Sequence, residues 1–412
     1  MSATGTKTAP IAAVPRGTAG EVFTAFLKLG LTSFGGPVAH LGYFHDAFVV
    51  RRKWLDDKTY ADLVALSQFL PGPASSKVGI AIGLSRAGYL GSLAAWVGFT
   101  TPSAVALVLF GYGVAFFGNT LGSGWLHGLK VAAVAVVANA VLSMMRTLAP
   151  DRARATLAVA AALLASALPT SIGQIGAILA GAAVGLVAFR KAPATDHADL
   201  PHPVNRVVAA GAITVFFVIL LGLPLVVAAA PSHALQLFEV FYRASSLVFG
   251  GGHVVLPLLQ AAVVPPGWVS NDGFLAGYGA AQAVPGPLFT FSAYLGTVMQ
   301  PAPNGWQGAI LCLVAMFLPA FLLVIGPLPF WNALRHRTEA QAALRGVNAA
   351  VVGILLAALY HPVWTSGITN AYDFALGAVA FLLLFMWKTP PWLVVVVCAL
   401  GGAALGFLPA GG

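Results

Sequence analysis

The chain has 412 residues, of which 59% are hydrophobic and only 8% are charged. A soluble protein of this length would need far more charge to cover its surface, so the composition predicts a polytopic α-helical membrane protein. The net charge of +9 is spread over short loops, which favours the positive-inside bias of an inner-membrane protein over nucleic-acid binding. The two cysteines lie in apolar segments, so the sequence predicts no disulfide framework, metal site or cofactor.

In chain order, the predicted elements begin with a polar stretch (1–19) that lacks the apolar core of a signal peptide and is interpreted as a cytoplasmic tail. Apolar segments long enough to cross a bilayer, roughly 20 residues, follow it. Between the loops 51–58 and 265–272 we expect five crossings, at 89–117, 128–148, 154–169, 171–189 and 204–230. The polar stretch 190–206 is interpreted as a cytoplasmic linker between a first unit (20–189) and a second unit (207–412).

Two interrupted segments share one pattern. Residues 66–79 read LSQFLPGPASSKVG, and residues 280–294 read AAQAVPGPLFTFSAY. A Phe-Gly-Gly triplet precedes each segment, starting at Phe34 and at Phe249, and further landmarks match in the same order. The chain is therefore predicted to be a tandem duplication, with units near 20–150 and 235–363.

Loop charges predict the relative orientation of the two units. The loop 51–58 is rich in cations and its counterpart 265–272 has none, whereas the cation-free loop 117–125 matches a loop that carries Arg335, Arg337 and Arg345. Because cytoplasmic loops hold the excess of Lys and Arg, the units should cross the membrane in opposite senses. The predicted fold class is an all-α polytopic membrane protein of two inverted-topology repeats with broken, re-entrant helical hairpins.

The Pro-Gly-Pro breaks free backbone groups that hydrocarbon cannot satisfy, so they should be buried in protein or face a watery cavity. We expect 59–85 and 273–300 to be re-entrant hairpins that meet near the midplane, while 21–50 and 236–264 are either hairpins or interrupted spans. Half-helices that start at a break favour anions, and paired interruptions in an inverted repeat indicate a transporter's substrate site. The alternative is structural: glycines that permit close packing and prolines that kink helices.

Polar groups near the breaks are the candidate anion ligands. Lys28 and Arg243 each lie six residues before a Phe-Gly-Gly triplet, and we expect them to matter more than Lys77, whose counterpart is Phe291. The alternatives are that Lys28 extends to an interface and that Arg243 pairs with Glu239, as Lys28 would with Glu21. The remaining candidates, which are equally typical of helix caps and packed cores, are Ser33, Ser75, Ser76, Gly252, His253 and Thr290.

The stretches FGGPVAHLGYFHDAFVVRRKWL and QFLPGPASSKVGIAIG, with VFGGGHVVLPLL and AQAVPGPLFTFSAYLG in the second unit, resemble the chromate ion transporter family in its long, two-domain bacterial form. The resemblance covers about 20–410. It implies a secondary transporter of the inner membrane that exports chromate by alternating access around a midplane site and confers chromate resistance, with sulfate as competitor or counter-substrate. The functional positions it implies are Phe34, Gly35, Gly36, Pro37, Gln68, Pro71, Gly72, Pro73, Phe249, Gly250, Gly251, Gln282, Pro285, Gly286 and Pro287. Lys77 departs from the neutral polar residue expected there.

Other functions fit the sequence less well. There is no GxxxxGK[ST] loop for direct use of ATP, and no paired carboxylates, metal-ligand spacing or Ser/His/Asp set that would indicate an enzyme. The expected partners are a chromate- or sulfate-type oxyanion and the lipid bilayer, with a homodimer left open. The alternatives are an anion channel, a transporter of sulfate or another oxyanion, and a membrane enzyme.

Overall fold

The structure is a computed structural model that describes residues 17–117, 124–189 and 204–406. All regular structure in these ranges is helical. Three predicted segments lie mostly outside the described residues: the tail 1–19, the loop 117–125 and the linker 190–206.

The first half of the described chain runs through α1 (Ala19–Thr32), α2 (Gly36–His45), a π-helical turn (Asp46–Arg51), α3 (Asp57–Phe69), α4 (Ala74–Phe117), α5 (Gly124–Leu148), α6 (Arg152–Ala167), α7 (Ser171–Ala188) and α8 (Arg206–Ala229). The second half runs through α9 (His233–Leu247), a 3-10 turn (Gly252–Val254), α10 (Val255–Val263), α11 (Asn271–Ala281), a 3-10 turn (Leu288–Thr290), α12 (Phe291–Val298), α13 (Gly305–Ile325), a 3-10 turn (Leu328–Phe330), α14 (Trp331–Arg335), α15 (Thr338–Ala358), a π-helical turn (Leu359–Trp364), α16 (Thr365–Gly367), α17 (Ala371–Phe385) and α18 (Pro391–Leu405). Among the described residues, six helical stretches are long and apolar enough to cross a membrane.

Helix α4 is a hairpin of two arms rather than one rod. Its backbone leaves the helical region at Ala87 and Gly88. On either side of this turn the backbones touch, because a Cβ atom at Gly83 would lie 2.3 Å from the Gly91 carbonyl oxygen. In the second repeat α12 and α13 meet in the same way at Gly296, where a Cβ would lie 2.2 Å from the carbonyl oxygen of Gly308. Backbones can approach this closely only where side chains are absent.

The segment 21–50, which the sequence left undecided, is a re-entrant hairpin. Arg86 holds both of its ends: the guanidinium bonds Glu21 at 3.1 Å at the start of α1, and it lies 5.0 Å from the ring centroid of Trp54, beyond α2. In the second repeat the rings of His233 and Trp268, at the two ends of the α9–α10 segment, are 4.8 Å apart. Each repeat therefore begins with a broken hairpin, as the predicted fold class requires.

The long helices of one repeat pack on the last helices of the other. Helix α5 packs on α17 and α18, and α15 packs on α6 and α7. Small residues make these contacts, since a Cβ at Gly128 would lie 2.1 Å from the Cys398 carbonyl oxygen and one at Gly346 would lie 1.9 Å from that of Gly181. The 16-residue α6 lies along the longer α15, with Ala158 against Gly353. The repeats are thus interlocked rather than side by side.

The opposite orientation of the repeats can be tested at two matching exposed caps. Asp56 and Ser270 cap α3 and α11, and the charge of their loops places them on opposite faces. In intact cells, Ser270→Cys should react with an impermeant thiol reagent added outside, and Asp56→Cys should react only after lysis. The native Cys312 and Cys398 are buried and provide a low background. Equal labelling of both variants from outside would contradict the inverted arrangement.

Candidate functional site

The two repeats are joined at their breaks by a pair of matching backbone hydrogen bonds. The Gly72 N–H of the first Pro-Gly-Pro turn donates to the Val248 carbonyl at 2.8 Å, and the Gly286 N–H of the second donates to the Ser33 carbonyl at 2.9 Å. Val248 and Ser33 each immediately precede a Phe-Gly-Gly triplet. We call these two bonds the reciprocal clasp. Each break is satisfied by a break of the other repeat.

Both clasp glycines have the left-handed backbone that favours glycine, with φ of +98° at Gly72 and +94° at Gly286. Their surroundings differ. A Cβ at Gly286 would lie 2.9 Å from the Ser103 hydroxyl oxygen, whereas a Cβ at Gly72 would meet nothing closer than the Ser245 carbonyl oxygen, at 3.5 Å. Since both N–H groups bond carbonyls, they are not the free donors that the sequence suggested for an ion.

Four helical segments start at the breaks and bring their N-terminal ends together. They are α2, the first arm of α4, and the 3-10 turns that lead into α10 and α12. A Cβ at Gly252 would lie 3.5 Å from the Pro37 ring and 3.7 Å from the side chains of Leu288 and Phe289. In α4 the first helical hydrogen bond is donated by the Lys77 N–H to the Pro73 carbonyl. The three N–H groups that precede Lys77 in the helix therefore have no acceptor within the helix. The positive ends of these segments thus converge where the repeats meet.

Lys77 is fully buried at this point. Its Nζ donates to the carbonyl of Leu70 and, at 2.9 Å, to that of Pro71. These carbonyls lie just after α3, where its helical hydrogen bonds end, so Lys77 stabilises the C-terminal end of α3. The same place in the second repeat holds Phe291, which is also fully buried but apolar.

Several hydroxyl groups lie at the same junction. In the described part of the chain, the buried hydroxyl oxygens of Ser33 and Ser76 have no hydrogen-bond partner. Thr290 donates to the Pro287 carbonyl at 2.7 Å, so its proton is already used. Ser245 of α9, which the sequence did not single out, is buried and unpartnered beside Gly72.

The charged candidates Lys28 and Arg243 lie on α1 and α9, the helices that precede the Phe-Gly-Gly triplets. Lys28 is exposed on α1, and its expected partner Glu21 instead pairs with Arg86 because α1 packs along α4. Arg243 is half-buried and its Nε lies 3.1 Å from a carboxylate oxygen of Glu239. The pairing of Glu21 with Lys28 was therefore wrong, and the i,i+4 pair in α9 is present.

The remaining predicted residues divide by repeat. Gln68 is exposed, whereas its counterpart Gln282 has a buried amide nitrogen without a partner among the described residues. The Nδ1 atom of His253 lies 2.6 Å from the hydroxyl oxygen of Tyr278. Phe34 and Phe249 are half-buried, and the ring centroid of Phe34 lies 6.1 Å from that of Trp392. The other motif residues form the turns themselves: Gly35, Gly36, Pro71, Pro73, Gly250, Gly251, Pro285 and Pro287.

A second buried histidine, His40, was missed. It lies one turn into α2, where its ring bridges Ser33 and Ser75. The only feature of the sequence that could have indicated His40 is its spacing of four residues from Gly36, which places it near the N-terminal end of the half-helix.

A cavity of about 610 Å³ opens near the ends of α6, α10 and α15. It reaches Pro257, in the first turn of α10, and its polar lining includes Gln174, Gln260, Asn271 and Ser366. Two hydrogen bonds of 2.8 Å link Gln260 to Asn271 and Asn271 to Ser366. Among the described residues that line it there is one histidine, His361, and no Lys, Arg, Asp or Glu. Loop charges predict that this face is external.

Comparison with known proteins identifies relatives over nearly the whole chain. A family profile described as "Chromate transporter" matches twice, at residues 20–186 and 235–403. The "Probable chromate transport protein" of Synechococcus elongatus is 28% identical over 92% of this chain and 93% of its own length. The "Chromate transport protein" of Pseudomonas aeruginosa is 28% identical over 92% and 90%. The "Uncharacterized transporter YwrB" of Bacillus subtilis is 29% identical over 39% of this chain and 82% of its own length. No solved structure matches the chain significantly.

Alanine at the two clasp glycines should destabilise the fold unequally. Both substitutions place a side chain at positive φ, which costs about 1–2 kcal/mol. Only Gly286→Ala also forces contact with Ser103, so it should lower the apparent melting temperature of the detergent-solubilised protein more than Gly72→Ala. Gly113→Ala, where a Cβ meets nothing within 4 Å, is the control. A larger loss for Gly72→Ala would contradict the packing described above.

Removal of the buried amino group should also lower stability. Lys77→Met leaves the Leu70 and Pro71 carbonyls without their donor, at a cost of about 1–3 kcal/mol for each unsatisfied group. Lys77→Gln retains an amide donor and should lose less. Lys28→Met, on an exposed surface, should melt like the wild type. A Lys77→Met protein with unchanged melting temperature would show that these bonds do not support the break.

Proposed function

Since the chain belongs to the chromate transporter family, we propose that it is a secondary transporter that exports chromate from the cytoplasm across the inner membrane by alternating access. The observation that carries the proposal is the convergence of four helical N-termini at the reciprocal clasp. Such ends offer N–H donors and a positive potential to an anion. Broken helices at matching places of two inverted repeats are typical of a transporter's substrate site.

The chemistry of the breaks suits an oxyanion. The segments 33–37, 71–77, 248–254 and 285–290 contain no Asp or Glu, so the breaks themselves contribute no carboxylate that would repel an anion. Hydroxyl groups without partners can donate to oxygen atoms of the substrate, and Ser33 and Ser76 are of this kind. We assign substrate binding to these hydroxyls, to Ser75 and to the N–H groups in the first turn of α4 that have no acceptor within the helix.

The cations are assigned different roles. Lys77 supports the site by holding the end of α3 and adds positive potential without a direct bond to the ion. Lys28 and Arg243, which the sequence favoured as ligands, are assigned to the approach path, because Lys28 is exposed and Arg243 is engaged by Glu239.

The cavity at the ends of α6, α10 and α15 is assigned as the exit vestibule. It leads to the first turn of α10, and its polar lining consists mostly of neutral amides and hydroxyls beside His361, with no Lys or Arg among the described lining residues to hold a dianion. A site of low affinity on the outside favours release over rebinding.

The membrane potential can drive this export. A charge gains about 2.3 kcal/mol across 100 mV, so a dianion that leaves a negative interior gains about 4.6 kcal/mol. No nucleotide-binding loop is needed for such a cycle, and none is present in the sequence. Sulfate has the same shape and charge as chromate and is proposed as its competitor.

Uptake of labelled chromate into inverted membrane vesicles tests the proposal. Uptake should saturate with chromate concentration, respond to the membrane potential and be inhibited more by sulfate and molybdate than by phosphate. Ser76→Ala should raise the half-saturating concentration, because it removes an unpartnered donor beside the break. Ser143→Ala, at an exposed position on α5, is the matched control.

Two results would overturn the proposal. Flux that rises without saturation would indicate a channel, and absence of chromate uptake with saturable uptake of another oxyanion would indicate a different substrate. The same vesicles can test the approach path: loss of transport in Lys28→Gln and Arg243→Gln, with none in Lys77→Gln, would return the ligand role to the paired cations.

A further inference from the structure

His40 occupies an unusual place for a titratable side chain. It is 1% exposed, in the half-helix that starts at the first Phe-Gly-Gly break. Its Nε2 lies 3.2 Å from the Ser33 carbonyl oxygen and its Nδ1 lies 3.3 Å from the Ser75 hydroxyl oxygen. The edge of the imidazole packs on Phe99, with ring centroids 5.3 Å apart and planes at 90°.

These two contacts determine where the protons are when His40 is neutral. A carbonyl oxygen can only accept, so Nε2 must carry the hydrogen. The Nδ1 atom of the neutral ring is then an acceptor, and the Ser75 hydroxyl must donate its one hydrogen to it. In this state Ser75 offers only lone pairs to its other neighbours.

Protonation of His40 reverses the bond to Ser75. Both ring nitrogens of an imidazolium are donors, so Nδ1–H donates to the Ser75 oxygen and the hydroxyl hydrogen becomes free. Ser75 lies in the first turn of α4, next to the unpartnered Ser76 hydroxyl and to the N–H groups ahead of the helical ladder. The same proton therefore adds one donor and one positive charge to the place assigned to the oxyanion.

No other titratable group bonds the imidazole in the described part of the chain. The titratable or charged side chains on α2 itself and on the described elements that contact it are Glu21, Lys28, Tyr43, His45, Asp46, Arg51, Asp57, Lys58, Tyr60, Asp62, Lys77, Arg86, Tyr89 and Tyr112. Most of them are engaged elsewhere, as in the pairs His45–Asp57 and Asp46–Arg51, both at 2.7 Å. Tyr60 donates to the Leu41 carbonyl at 2.6 Å.

We propose that His40 is the proton-binding group that couples protonation of the transporter to oxyanion binding, with Ser75 as the hydroxyl that relays the change. The inference rests on the proposed function, since the anion is the substrate assigned there. Because coupling between two ligands is reciprocal, a bound oxyanion raises the affinity of His40 for its proton by the same factor. Carried across together, one proton and one dianion move a single net charge, which halves the gain that the membrane potential gives to the dianion alone. The second repeat has Val255 and Phe289 at the corresponding positions, so the device exists once.

The experiment measures chromate binding to the purified full-length protein in detergent between pH 6 and pH 8, together with proton uptake in a weakly buffered solution. Wild-type affinity should fall with rising pH, by up to about tenfold per unit for one coupled proton. His40→Gln keeps a donor and an acceptor but cannot be charged. After correction for the protonation of free chromate, its affinity should change by less than about twofold between pH 6 and pH 8. His336→Gln, at an exposed histidine that follows α14, is the control and should retain the wild-type profile.

Ser75→Ala separates the relay from the charge. It leaves the imidazole in place and removes the hydroxyl, so most of the gain in affinity at low pH should be lost. An unchanged pH profile in Ser75→Ala would overturn the relay.

The inference alone fails if His40→Gln keeps the wild-type pH dependence, or if chromate binding to wild type takes up no protons beyond those of chromate itself. The second result decides the matter even where His40→Gln does not fold. Absence of chromate binding at every pH would instead overturn the proposed function.

Discussion

The structure depends on one constraint: a helix that is interrupted within hydrocarbon must find partners for the backbone groups it frees. Here each repeat supplies the partner that the other lacks, through the bonds Gly72–Val248 and Gly286–Ser33. A single repeat folded alone would leave both ends of these bonds without partners. The same two hydrogen bonds that satisfy the breaks also bring four helical N-termini together. The candidate site therefore forms when the two repeats pack against each other.

The backbone of this junction is symmetric, but its side chains are not. The end of α2 bonds the first residue of α3 through His45 and Asp57, and the end of α10 bonds the first residue of α11 through Gln260 and Asn271. The first pair is ionisable and the second is neutral. Together with Lys77 opposite Phe291, this makes the two repeats electrostatically different at equivalent positions.

The sequence predicted the repeat, the breaks and the hairpins 59–85 and 273–300 because these have local signals: Pro-Gly-Pro, Phe-Gly-Gly and the charges of matching loops. It left 21–50 and 236–264 open between hairpins and interrupted spans. It could not predict the clasp, since the choice of Val248 as acceptor for Gly72 depends on how two distant segments dock. The expected Glu21–Lys28 pair was wrong for the same reason, because α1 packs along α4 and brings Arg86 to the carboxylate. Lys77 was recognised as exceptional, but its bonds to Leu70 and Pro71 required the return path of the chain.

A site that must bind a dianion and then release it is better built from dipoles than from fixed charges. A free ammonium or guanidinium at low dielectric would hold the ion strongly in every state. In the proposed site the buried amino group of Lys77 is occupied by two carbonyls, and the attraction comes from N–H groups and hydroxyls whose strength depends on their alignment. In the proposed cycle, the alignment changes as the repeats move against each other, and the proton proposed on His40 leaves. Both make the attraction reversible, which a permanent charge at the centre of the site would not allow.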